Sequence, residues 1–204
     1  FEPLISVGLK WSRSGWRPAN HPARRLVGLS HFLGVQASTG LFLPFLKDLE
    51  GLRDRRTEKK KEYLEVYRAW VDRLSSPEDR YWSTRYTLGG KSLLRPLRLI
   101  GKERASAMII NVVIPLAWTF SRRRGDTDLE ETLHRLYRFA PRLEDNSSSR
   151  FMLARLFGEK ARERKACFIG ARSQQGLLHL YQSYCLPQGG ECEGCGLMIL
   201  ARAL

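Results

Sequence analysis

Apolar residues recur every three or four positions along nearly the whole chain, the spacing that gathers them on one face of an α-helix. Leu26, Leu29 and Leu33 repeat this way after Asn20, His21 and Pro22, where Asn20 can cap a helix and Pro22 suits its first turn. Leu41 to Leu49 predicts a second, short helix that Pro44 begins or breaks. Tyr63, Tyr67, Trp70, Val71 and Leu74 make the stripe of a third, running from about Thr57 to a stop at Ser75, Ser76 and Pro77. The following loop turns at Gly89 and Gly90. From Gly101 to Phe120 almost every face is apolar, which predicts a central buried helix kinked at Pro115. Asp126 then caps Leu129 to Phe139, Asn146 or Ser147 caps Arg150 to Phe157, and Ser173 caps Gln174 to Cys185. Only the first ten residues carry an extended pattern. The expected fold is all-α: a basic multi-helix domain over residues 1–166, with a cysteine-rich helix and knuckle over 167–204 packed on it as one compact unit.

Composition changes this picture in two places. The longest apolar run, Ala105 to Phe120, falls short of the ~18 to 20 residues that cross a bilayer and is interrupted by Asn111 and Pro115. With no leader and no starting Met, the chain reads as a piece of a longer cytoplasmic protein. Lys and Arg number 35 against 21 Asp and Glu, a net charge of +14. The surplus sits in Arg53 to Lys61, Arg80 to Arg104, Ser121 to Gly125 and Gly158 to Lys165. Each run alone has the look of a solvated helix face. Together, and with Arg well ahead of Lys, they point to the phosphates of DNA or RNA. Arg17, Asn20, Arg24 and Arg25 at the first helix start, and Arg104, are the candidate phosphate contacts.

The four cysteines, Cys167, Cys185, Cys192 and Cys195, all fall in the last forty residues. Without a secretory leader, metal binding is the expected use of such a cluster, and it is the reason to expect a metal-stapled end. Cys192 and Cys195 form a Cys-x₂-Cys knuckle whose glycines permit a tight turn. Four thiolates suit tetrahedral zinc and equally an iron–sulfur cluster; the remaining alternative is free thiols. The spacing from Cys185 is similar to the start of the cluster loop in helix–hairpin–helix DNA glycosylases of the endonuclease III type. Their fourth cysteine corresponds to Ala201, so the fourth ligand here would be Cys167, His179 or a group outside the chain. Asn111, Gln175 and His179 are candidate buried polar residues, Asn111 to satisfy the backbone freed at Pro115. For catalysis the chain offers no glycine-rich phosphate loop, no paired carboxylates in an apolar setting and no nucleophile–base pair.

Four stretches in order, Arg17 to Leu26, Gly101 to Leu116, Glu144 to Met152 and Gln174 to Cys195, resemble the C-terminal half of the bacterial "domain of unknown function 2851" family. The resemblance implies a longer protein whose N-terminal half carries nuclease-like acidic and Glu-x-His motifs, none of them in this chain. It implies an accessory, nucleic-acid-binding helical region serving that nuclease-like part. The alternative is a scaffold whose basic patches meet an acidic protein.

Overall fold

The computed structural model describes residues 21–75 and 79–203, and there the chain is all-helical. Among the described residues no strand forms; Pro141 and Gly170 make an isolated bridge. The extended pattern of the first ten residues lies outside the described residues, as do Arg17 and Asn20. The chain divides into two compact units. The division does not follow residue 166: one unit takes the first helix up to Val35 and the segment ending at Gly101, the other takes Gln36–Ser75 and everything from Lys102.

In the smaller unit, α1 (Pro22–Gln36) holds an irregular segment. A chain without a hydrogen-bond ladder leaves carbonyls in need of donors. Arg24 supplies them: Nε donates to the carbonyl of Trp82 at 2.8 Å, and a terminal nitrogen donates to Leu97 at 2.9 Å and Arg98 at 3.4 Å. Gly28 lets the segment approach, since a Cβ there would stand 3.1 Å from Leu99 Cβ. Asp79 accepts from the N–H groups of Tyr81 and Trp82 and faces His31 Nε2 at 3.0 Å. The Trp82 N–H, helped by His31 and Tyr81, holds the Asp79 carboxyl below the usual carboxylate range. One expectation is thereby reversed. Arg24 is only 3% exposed and is occupied by backbone, so it offers no phosphate a contact. Leu26, Leu29 and Leu33, which repeat at helical spacing, are 64%, 44% and 42% exposed, because α1 turns its Arg24 and Gly28 side inward. Arg25 is exposed.

In the larger unit, α2 (Leu43–Asp54) carries Pro44 in its first turn, where a missing donor costs nothing. All five predicted stripe residues of α3 (Lys60–Leu74) are buried. Phe45 meets Trp70 edge-on at 5.2 Å, while Trp70 Nε1 and the Arg73 guanidinium share Asp48 Oδ2 at 2.9 and 2.7 Å. Next come α4 (Lys102–Met108), a π turn (Ile109–Val113) and α5 (Ile114–Arg124), continuous as one helix. Gly125 closes it in the left-handed conformation, and α6 (Thr127–Phe139) returns. Asp126 caps α6 through the Leu129 N–H at 3.0 Å and pairs with Arg53 of α2 at 2.7 Å. Helix α6 packs on α2, α3 and α5 through Leu129, Leu133 and Leu136, all buried.

The long helix departs from expectation. Ile109, Ile110, Val113, Ile114 and Ala117 are buried, but Val112 and Leu116 are 50% and 52% exposed, since α3 and α6 cover one side of it. Read through the π turn, Lys102–Arg124 has 23 residues and is long and apolar enough to cross a membrane by length and composition, with 39% of its most apolar window buried in the protein.

Asn146 caps α7 (Ser147–Phe157) in a reciprocal box with Ser149. A short α8 (Ala161–Arg164) follows, then α9 (Ala171–Leu180), a second π turn (Tyr181–Cys185) and α10 (Gly196–Ala203). Gly170, not Ser173, is the N-cap of α9; Ser173 Oγ donates back to the Gly170 carbonyl. The C-terminal segment has its own core: Met152, Leu153, Leu177 and Cys185, with Phe157, Phe168 and Leu197 packed against them.

Replacing Leu133, which is fully buried, by Ala should cost about 3 kcal/mol in urea unfolding. Leu26→Ala should change stability by less than about 0.5 kcal/mol. A large loss at Leu26 would mean that the α1 stripe is core after all.

Candidate functional site

Pro115 has no N–H to donate four residues back, so the carbonyl of Asn111 loses its helical partner. The helix widens just ahead of the proline, and the Ile114 N–H reaches the carbonyl of Ile109, five residues back. The expected kink is therefore a π turn, with Asn111 at its centre. Asn111 Nδ2 donates to the Ala107 carbonyl at 2.8 Å, and its Oδ1 accepts from Gln175 Nε2 of α9 at 3.4 Å. At the far end of α9 the second π turn follows the same geometry, the Leu186 N–H reaching Tyr181 at 2.9 Å. π turns gather at functional sites because they re-aim side chains at a helix surface.

Between these elements lies an open groove of about 500 Å³. Its wall is Asn111 on one side, Tyr137 of α6 on another, and Gln175, Gly176, His179 and Gln182 along α9 and its π turn. Arg172, Gln175, His179 and Gln182 are three, four and three residues apart, so one helix face carries them all. Burial pushes the Tyr137 phenol up, with Arg172 opposing, so it is a neutral donor near pH 7. The volume lies within the range of small-molecule sites, and the lining is mostly amide, phenol and imidazole.

Gln174, the neighbour facing the other way, fixes the walls. It is 1% exposed; its Oε1 accepts from the Leu143 N–H at 3.0 Å, and its Nε2 donates to the carbonyls of Leu143 at 3.2 Å and Glu144 at 3.1 Å. The Ala171 N–H donates to Ala140 at 3.1 Å. The chain leaving α6 is thus clamped to the start of α9, which sets Tyr137 beside Gln175.

Three sequence candidates meet in this groove: Asn111, Gln175 and His179. They are not buried, however. Asn111 and His179 are exposed and Gln175 is half-buried, and the buried amide is Gln174. The helical spacing is right, but α9 turns its Gln174 side to the chain leaving α6, which leaves Gln175 and His179 toward solvent. Arg104 is exposed on α4, away from the groove. Tyr137 and Gln182 escaped the sequence reading; the signal for Gln182 was its seven-residue step from Gln175. One carboxylate pair does form: a hydrogen bond to Glu144 holds the exposed Glu103 carboxyl above its usual range.

At the cysteine end, Cys185 Sγ donates to Met152 Sδ at 3.5 Å, and Cys192 Sγ accepts from Arg155 Nε at 2.9 Å. Burial, with Cys195 and Cys192 nearby, pushes the Cys185 thiol up. Gly194, at φ 71°, closes the turn in which the Cys195 N–H donates to Cys192. Soft thiols on such a turn suit zinc by chemistry. Among the described residues no group of three or more His, Cys, Asp or Glu is placed to hold a metal ion, and the Cys167 side chain lies outside them. Apolar packing around Cys185 seats this end of the chain.

A family model described as "Protein of unknown function (DUF2851)" matches residues 6–147. The match covers the stretches at Arg17 to Leu26 and Gly101 to Leu116 and ends inside the third, so Gln174 to Cys195 lies beyond it. Comparison with curated proteins and with solved structures gives no match.

Gln174→Leu should strand three backbone groups and cost about 2 to 3 kcal/mol in unfolding. In amide exchange, the Leu143 N–H should lose protection first. Unchanged exchange at Leu143 would show that the clamp does not hold the groove.

Proposed function

The chain belongs to the DUF2851 family of proteins of unknown function, and on that premise we propose that it is an accessory helical region that binds nucleic acid through exposed arginines. One observation carries this reading: eleven carboxylates are held in ion pairs, while several exposed arginines are left without one among the described residues. Asp48 is taken by Arg73, Asp126 by Arg53, Glu130 by Arg122, Glu131 by Arg135, and Asp145 by Arg142 and Lys165. Arg104, Arg123, Arg138, Arg150 and Arg172 are exposed and form no ion pair among the described residues. Such guanidinium groups present forked donors to phosphate oxygens. In the family context, the region would hold a strand for a nuclease-like part of a longer cytoplasmic protein. Free thiols at Cys185, Cys192 and Cys195 accord with a reducing compartment.

A second reading keeps zinc, or an iron–sulfur cluster, on Cys167, Cys185, Cys192 and Cys195. The tight Cys192–Cys195 turn favours it, and no step of the binding runs through the metal. Anaerobically purified protein should carry about one zinc per chain, lost on Cys192→Ser. Colourless, metal-free protein of unchanged stability ends this reading.

Binding to labelled single-stranded DNA or RNA should weaken steeply with salt. For about four phosphates the slope of log K against log salt is about −3. Arg123→Glu and Arg150→Glu should each make that slope shallower by about 1. No binding at low salt would overturn the proposal. It would turn attention to a protein partner, for which Val112 and Leu116, exposed on one side of the long helix, would be the contact.

A further inference from the structure

Gly176 stands inside α9, where glycine weakens a helix relative to almost any residue with a side chain. Neither backbone nor packing calls for it. Its conformation is helical, and a Cβ added there meets no atom within 4 Å. Gly28, by contrast, is explained by Leu99 pressed against it. What lies over Gly176 is the groove, and a side chain at this position would stand in it.

The groove wall has no carboxylate, so nothing in it selects a cation or an amine. It offers amides at Gln175 and Gln182, each pairing a donor with an acceptor, which is the pattern that reads the edge of a planar heterocycle. The Asn111–Gln175 contact is long for a hydrogen bond, so the Gln175 amide gives up little by turning to a ligand. Tyr137 and His179 add flat rings of the kind on which bases stack. Arg172, one turn before Gln175 on the same face and free of any ion pair among the described residues, supplies a cation for phosphate.

We infer that the groove over Gly176 holds the base of one nucleotide, its edge against Gln175 and Gln182 and its phosphate toward Arg172. A base paired in a duplex keeps its edge and faces inside the stack, so the occupant is unpaired. It is carried on a single strand, which rests on the nucleic-acid reading above, or arrives as a free nucleotide with the same chemistry.

The test uses the full chain and one blocking variant, Gly176→Leu, whose Cβ has open space and whose side chain would occupy the groove, and which should fold at least as well as the parent. Three fluorescent probes of equal length are titrated: a single strand, the same strand with abasic sites, and a duplex. The intact strand should bind about tenfold more tightly than the abasic one, on the scale of base stacking. Gly176→Leu should erase that difference and leave duplex binding unchanged, and Gln182→Ala should reduce it severalfold. Equal affinity for all three probes, unmoved by Gly176→Leu, overturns the inference while the arginine surface stands. If no strand binds, adenosine monophosphate is titrated and followed by the amide resonances of Gly176, His179 and Gln182. Shifts that Gly176→Leu abolishes keep the groove as a site for free nucleotide and remove the strand-binding proposal. No shifts remove both.

Discussion

The buried stripe of α6 is the constraint on which the larger unit rests. Leu129, Leu133 and Leu136 face α2, α3 and α5 at once, so burying one stripe positions three neighbours. Asp126 reinforces this at the helix start, capping α6 with one oxygen and holding Arg53 of α2 with the other. The same helix carries Tyr137 next to the stripe. Packing that buries Leu133 and Leu136 therefore also decides where a groove-lining phenol stands, and the hydrophobic core sets the geometry of a polar site.

Backbone chemistry then shapes the groove. A proline that cannot donate widens the long helix at Asn111, and a second π turn widens the helix that carries Gln182. Gln174 prevents the two walls from drifting, because its buried amide closes three hydrogen bonds to the backbone of Leu143 and Glu144. Charge is divided between two kinds of surface. Eight carboxylates are tied to arginines, several arginines form no ion pair among the described residues, and the groove wall has amides, one phenol, one imidazole and Leu178.

At the cysteine end, apolar packing accounts for the burial of two thiols. Cys185 packs against Met152 within an apolar cluster and Cys195 is buried, so two of the thiols behave as small core residues. Cys192 meets the guanidinium of Arg155. A short, weakly charged segment gains its hold from Leu153, Leu177 and Leu197, which meet in one apolar cluster.

The sequence by itself determined the helices. The α3 stripe, the Asp126 and Asn146 caps and a disturbance of the long helix near Pro115 were legible because each depends on residues within one or two turns. Asn111, Gln175 and His179 were legible as polar positions on helices for the same reason. Where these residues end up was decided by tertiary structure alone. Whether Leu26 or Arg24 faces inward depends on the carbonyls of Trp82 and Leu97, about sixty to seventy residues away. Whether Gln174 or Gln175 is buried depends on the chain leaving α6. Local periodicity fixes which residues share a face, and only the long-range hydrogen bonds and packing choose which face meets water.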